Sequence, residues 1–407
     1  MEKRLPLYLA LIIAFTSCGN KEEKLLEKAW SIHSRIVTID THTDTPLMFN
    51  RDGFDFSGED QRSRGRVDLK KMEDGGLDAA FFAVFIGQGE RTPEKYDEVH
   101  QRALEIFDAV HENVSRFPDR ASIALAANDA YKIKEKNKRA IYIGVENGYP
   151  LGKDLTRLQQ YYNLGARYLT LSHTRNNDIC DSSTDPNGPE HKGLSPFGFQ
   201  VVRELNRLGM MIDVSHISDD AFYQVLQFSK TPVIASHSCV RAICDNPRNL
   251  DDDMLKKLAE NGGVIQMCLL SNYLKDPEPY PARDSARAAV RKKWGSFRDL
   301  EPEQRQQAFD EWYAIDDEFP PKLASVKDLV DHIDHVVQLV GVDYVGIGSD
   351  FDGGGAINGC ADASEMINIT VELLRRGYKE KEIRKIWGEN FLRVFREVEE
   401  FAINSNL

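Results

Sequence analysis

Short runs of β-favouring apolar residues recur along this chain, separated by longer amphipathic stretches, and that alternation narrows the possible architectures more than any other property of the sequence. It is the pattern of parallel strands joined by helices. Eight runs read as strands, at 36–40, 77–86, 139–146, 166–173, 210–216, 232–237, 263–268 and 344–350, with helical periodicity at 93–116, 198–208, 218–228, 251–261 and 326–340. Ser218, followed by Asp219 and Asp220, reads as a helix start: a short side-chain oxygen caps free amides, and acids suit the positive end of the helix dipole. Eight βα units in 407 residues predict an α/β fold, a (β/α)8 TIM-type barrel whose functional residues project from the C-terminal strand ends. Periodicity alone leaves a doubly wound open sheet as the alternative.

One stretch, 276–321, departs from this rhythm between the seventh and eighth strands. It is charged, carries helical segments near 286–294 and 302–315, and is bounded by Pro279, Pro281, Pro320 and Pro321, so it reads as a helical insertion. Trp387 and the helical tail after it are expected outside the barrel.

The N-terminus carries a separate message. Glu2, Lys3 and Arg4 precede an apolar run from Leu5 to Phe15, then Thr16, Ser17 and Cys18. The run is too short for a mature membrane span and resembles a bacterial lipoprotein signal, with lipid on the Cys18 thiol after cleavage. The expected organisation is a signal peptide at 1–17, a lipidated tether at 18–30 and a barrel domain at 31–407. Such a chain would be lipid-anchored in the bacterial cell envelope, periplasmic or surface-facing. Five cysteines remain after Cys18, at positions 180, 239, 244, 268 and 360; they form no CxxC pair, and buried thiols are the simplest expectation. The formal charge of −13 repels phosphate backbones, which argues against a nucleic-acid partner.

The chemistry lies at the strand ends. Reading only those positions yields His42 and Asp44, Glu146, His173, His216, His237 and Asp350, all metal-ligand or acid–base side chains. Alternation along an extended backbone puts His42 and Asp44 on one side, where they can grip one ion together. Glu146 ends the apolar run Ile141-Tyr142-Ile143-Gly144-Val145, and its two oxygens can bridge two cations. Neutral imidazoles at His216 and His237 suit zinc or a similar borderline ion. A barrel would gather these separate ends around one mouth.

The segments His42-Thr43-Asp44-Thr45-Pro46, Gly144-Val145-Glu146-Asn147-Gly148, Tyr168-Leu169-Thr170-Leu171-Ser172-His173, Ile212-Asp213-Val214-Ser215-His216, Ser236-His237-Ser238 and Gly346-Ile347-Gly348-Ser349-Asp350-Phe351-Asp352-Gly353 resemble the membrane dipeptidase family, also called renal dipeptidases. Asn176, Asp181-Ser182 and Gly193-Leu194-Ser195 fit too. The resemblance implies two zinc ions per chain: His42 and Asp44 on one, His216 and His237 on the other, Glu146 bridging, and a water or hydroxide between the metals as nucleophile. It implies that His173 helps hold the substrate carbonyl and that Arg248 binds the substrate's terminal carboxylate. Asp350 would take the proton of the attacking water and pass it to the departing amine. Arg241 is the local competitor of Arg248. Of the two neighbouring acids Asp350 and Asp352, Asp350 is favoured for this role. The stretch Met267-Cys268-Leu269-Leu270-Ser271-Asn272-Tyr273 shows no clear counterpart of the family's aromatic substrate contact, which leaves side-chain preference open.

The expected activity is zinc-dependent hydrolysis of dipeptides with broad specificity, extending to a D-residue at the C-terminal position, in a homodimer as in the family. The alternatives are another amidohydrolase activity, such as cleavage of N-acyl amino acids, and a non-catalytic metal- or peptide-binding surface lipoprotein.

Overall fold

The computed structural model describes residues 21–49, 51, 53–60, 63–295, 297, 300–320 and 322–405. The signal-peptide segment, Cys18 and Pro321 lie outside the described residues. No helix among the described residues is long and apolar enough to cross a membrane.

Among the described residues nine strands run in parallel: β1 (Ile39–Thr43), β2 (Ala79–Phe85), β3 (Ala121–Ile123), β4 (Arg139–Glu146), β5 (Ala166–Thr170), β6 (Met211–Asp213), β7 (Ile234–Ser238), β8 (Val264–Met267) and β9 (Val345–Ile347). Their order is β1-β2-β4-β5-β6-β7-β8-β9, with β3 paired to the N-terminal half of β4, Arg139 to Ile141. Just beyond β9, the Asp44 amide donates to Phe351 O at 2.8 Å and the Asp350 amide to His42 O at 2.9 Å, which draws the first and last strands together. The result is a nearly closed (β/α)8 barrel, and the doubly wound sheet is excluded. All eight expected strands are present. The first is displaced toward the C-terminus, to 39–43 rather than 36–40, and the three-residue β3 is additional.

Strand alternation builds two layers of core. In β2, Ala80, Phe82 and Val84 face outward into the cluster shared with the helices, while Ala79 and Phe81 face the barrel interior. Inside, the Phe81 ring stacks on Tyr142 with centroids 4.7 Å apart and on Tyr168 at 5.3 Å. Trp387 packs outside the strands, as expected. The helix Asn390–Ser405 instead lays Phe391 and Phe395 against Phe81 and Tyr142, and so stops the N-terminal end of the barrel.

The helices begin where their caps direct. Ser218 accepts the Ala221 amide at 3.2 Å and opens Asp219–Phe228. The insertion forms two helices, Pro281–Trp294 and Pro302–Glu318. Arg283 and Arg287 of the first both donate to Asp316 of the second, and Arg287 and Arg291 lie over the Trp312 ring. Cys180, Cys239, Cys244, Cys268 and Cys360 are free and buried.

Candidate active site

The sequence-selected side chains meet at the C-terminal end of the barrel. His42 and His237 lie within their strands, and the register slips across each of them, between Asp40 and Thr43 in β1 and between Ala235 and Ser238 in β7. Irregularities of this kind re-aim a side chain that regular alternation would direct elsewhere. Glu146 is the last residue of β4, whereas His173, His216 and Asp350 each sit three residues beyond their strands. His216 and Asp350 adopt left-handed backbone, with φ of 71° and 60°, and Asn147 follows Glu146 with φ of 77°. Strain of this kind concentrates at functional sites.

Glu146 is the hub. Its Oε2 faces His42 Nε2 at 3.6 Å, and its Oε1 faces His216 Nε2 at 3.1 Å, His237 Nε2 at 3.5 Å and His173 Nε2 at 3.8 Å. One carboxylate is thus divided between two sets of imidazoles. Three overlapping groups have ligand atoms mutually within 4.8 Å: His42, Glu146 and His237; Glu146, His173 and His216; and His42, Asp44 and Asp350. The His216 and His237 Nε2 atoms are 2.8 Å apart, so both ring nitrogens are aimed into the same space.

The electrostatics call for a cation. Asp44, Glu146 and Asp350 share this buried volume, and among the described residues no lysine or arginine nitrogen comes within 4 Å of them. Burial, reinforced by the Glu146 charge, drives the Asp44 carboxyl well above its ordinary range. Asp350 is pushed up to about 7 by burial and by Glu146, against the pull of His42 and Arg248. Burial opposes a charge on His42, but the surrounding carboxylates, Glu146 first, raise it to about 10. Glu146 lies well below its ordinary value because the neighbouring histidines outweigh its burial, and His216 and His237 are held neutral chiefly by burial. His42 Nε2 and Asp44 Oδ1 are buried without a hydrogen-bond partner, an arrangement that is costly unless a ligand completes it. Gly353 leaves the two aspartates room, since a Cβ there would fall on Asp44 Oδ2 and Asp350 Oδ1. Nitrogen and oxygen donors in this number fit divalent zinc or a similar ion.

Around the donors lie groups that fix them. His42 Nδ1 meets the Tyr168 hydroxyl at 2.8 Å, where the apolar barrel filling ends. Ser182 Oγ donates to His173 O at 2.5 Å and the Ser183 amide to His216 O at 2.8 Å, while Asp181 gathers the amides of Glu190, His191 and Gly193. The loop motif at 176–195 therefore braces two of the histidines.

Arg248 is buried at the rim, donating to His237 O at 3.0 Å, with its guanidinium 5.2 Å from the Tyr273 ring centre. No carboxylate among the described residues pairs with it, and its Nε is unpartnered. Arg241 makes a two-pronged contact with Asp219 at 2.7 Å on each side and is committed there. Tyr273, from the stretch where no aromatic contact was clear, is the ring beside Arg248.

Asp352 does not join the cluster, although it lies only two residues from Asp350. The run through Asp350 and Asp352 is not extended, since both residues have φ near 60°, at 60° and 65°. Asp352 is kept apart by its own bonds, accepting the Thr45 hydroxyl at 2.9 Å and the Arg66 amide at 2.8 Å.

Strand-end reading misses Tyr168, Asp213 and Ser236. The available signal was polarity inside otherwise apolar strands, at positions that alternation turns toward the barrel.

A parallel barrel that concentrates imidazole and carboxylate donors at its C-terminal mouth is the arrangement of a metallohydrolase. The sequence matches the family described as membrane dipeptidase, peptidase family M19, over residues 26–407, and the chain belongs to that family. It is a metallodipeptidase. It is 32% identical over 373 residues to dipeptidase tcpJ of Claviceps purpurea, covering 89% of this chain and 77% of that one. Dipeptidase 3 of Homo sapiens is 32% identical over 381 residues, 91% and 67% of the two chains. The crystal structure of the probable dipeptidase PvdM from Pseudomonas aeruginosa superposes with a TM-score of 0.81 at 34% identity, covering 93% of this chain and all of that one.

Proposed function

We propose that this chain hydrolyses dipeptides of broad side-chain type, including those with a D-residue at the C-terminal position, using two zinc ions. His42 and Asp44 would hold one ion and His216 and His237 the other, with Glu146 shared between them. The observation that carries this reading is the division of Glu146, one oxygen toward His42 and the other toward His216 and His237. When bound, such ions supply the positive charge that lowers the pKa of water and polarises a carbonyl.

The chain's own residues do the rest. Arg248 binds the substrate's terminal carboxylate, because a planar guanidinium with free N–H groups suits a two-oxygen partner. That anchor sits one residue beyond the scissile bond and favours dipeptides over longer chains. His173, on the exposed side of the cluster and packed edge-on against Phe85, steadies the oxygen on which charge develops. Asp350, beside His42 and Asp44, takes the proton of the attacking water and hands it to the departing amine.

The N-terminal pattern supports anchoring by lipid on Cys18 in the bacterial envelope, and the family resemblance supports a homodimer. Mass spectrometry of the mature N-terminus and light scattering test these two points.

The deciding assay is a panel of L,L- and L,D-dipeptides, with N-acylated and non-acylated members, on metal-stripped enzyme before and after addition of zinc. Zinc-restored cleavage of unblocked dipeptides is expected. Cleavage restricted to N-acylated members contradicts the dipeptidase reading, and absence of turnover on every member contradicts zinc catalysis.

A further inference from the structure

Asp213 ends the short strand β6 inside a wholly buried network. Its Oδ1 accepts the backbone amides of Ser215 at 3.0 Å and Ser236 at 2.8 Å, and its Oδ2 accepts the hydroxyls of Ser236 at 2.6 Å and of Thr170. Four donors, carried by β5, β7 and the turn after β6, thus converge on one carboxylate. No lysine or arginine among the described residues pairs with it. The Ser236 hydroxyl oxygen also stands 2.8 Å from Nδ1 of His237, and across that ring Nε2 faces His216 and Glu146.

Counting protons gives this chain a direction. A serine hydroxyl has a single hydrogen, and Ser236 has a carboxylate oxygen at 2.6 Å to receive it. What Ser236 then offers His237 is a lone pair, so Nδ1 must carry the hydrogen of the neutral imidazole. Nε2 is left as a bare lone pair pointing at the cluster. We propose that Asp213 is a positioning residue that acts through Ser236 to fix His237 in its Nδ1–H tautomer, so that Nε2 is ready for a divalent cation before one arrives. The inference rests on the reading of His237 as a metal ligand. It differs from the more usual direct carboxylate–histidine contact in placing a hydroxyl between the two.

The polarity of the relay makes the inference testable. In Asp213→Asn the side-chain amide turns its NH2 toward Ser236, the hydroxyl reverses to donate to Nδ1, and the ring proton moves to Nε2. Removing the acid thereby gives the wrong tautomer while the geometry is kept, a kind of effect with precedent in other enzymes. Ser236→Ala removes the relay and leaves a mixture of tautomers.

The experiment is long-range 1H–15N correlation NMR on 15N-histidine-labelled, metal-stripped full chain, with the His237 signals assigned by their loss in His237→Gln. Zinc affinity is measured alongside by chelator competition. The expected results are Nδ1–H at His237 in the unaltered protein, Nε2–H in Asp213→Asn, and zinc affinity weakened roughly 10- to 100-fold in that variant. An Nε2–H tautomer in the unaltered protein overturns the inference, as does an unchanged tautomer in a folded Asp213→Asn. Should that variant fail to fold, the unaltered protein's spectrum and Ser236→Ala still decide. A correct tautomer in a chain that binds no zinc would contradict the metal reading and leave the relay standing, so the two failures are distinguishable.

Discussion

The ring of Tyr168 lies in the space that a side chain at Gly144 would need: a Cβ built on Gly144 falls among the ring atoms Cε1, Cε2 and Cζ. The glycine in β4 is thus a matter of close approach, and what approaches is the residue whose hydroxyl holds His42. Gly144→Ala should displace the ring, costing about 1–3 kcal/mol by overpacking and loosening His42 at the same time. Thermal melts and zinc titration should both shift. A variant with normal zinc affinity would separate Tyr168 from the metal site.

Glu146→Gln keeps the shape of the hub and removes its charge. Metal content should fall below one zinc per chain, and kcat/KM should drop roughly a thousandfold, the several kcal/mol that a metal supplies to such a reaction. Elemental analysis and steady-state kinetics check both. Full metal content in this variant would mean that the carboxylate does not bridge.

Arg248→Met retains bulk and removes the guanidinium. KM for dipeptides should rise roughly a hundredfold with a smaller change in kcat, since a buried charge pair lost from one side costs about 2–5 kcal/mol. Dipeptide amides, which lack the terminal carboxylate, should be nearly indifferent to the substitution. Equal losses on acids and amides would remove the proposed clamp.

His33 packs edge-on against Trp387, its Nε2 2.6 Å from Thr370 Oγ1. Burial, aided by Lys134 and opposed by the contact with Gly76 O, lowers its pKa to about 4 from 6.5. Below pH 6.5 the unfolded chain therefore takes up a proton that the folded chain refuses, and stability is lost as the pH falls toward 4. The contribution by pH 4 is on the order of 3 kcal/mol. Urea unfolding of metal-stripped protein at a series of pH values should show a shallower acid loss for His33→Gln. Identical slopes would contradict this.

Much of this architecture was legible from residues alone, because parallel strands buried on both faces are written as apolar runs. Apolar patterning carries the first strand only to Asp40, where polar residues begin. It continues through Thr43 because those residues are satisfied internally: Asp40 accepts the Ser349 amide and hydroxyl, and His42 meets Tyr168. The three-residue β3 carries too little pattern to detect. The ligand set was legible because a barrel gathers strand ends. Tyr168, Asp213 and Ser236 were not, since a strand's periodicity tells which face a residue takes and not what it meets across the barrel. The separate fate of Asp352 depended on two left-handed residues that an extended reading does not foresee.

The most direct test is anomalous diffraction at the zinc absorption edge from crystals of this chain grown with zinc. Two peaks are predicted, one beside each oxygen of Glu146, the first bounded by His42 and Asp44 and the second by His216 and His237. A single peak, or peaks remote from Glu146, would contradict the account.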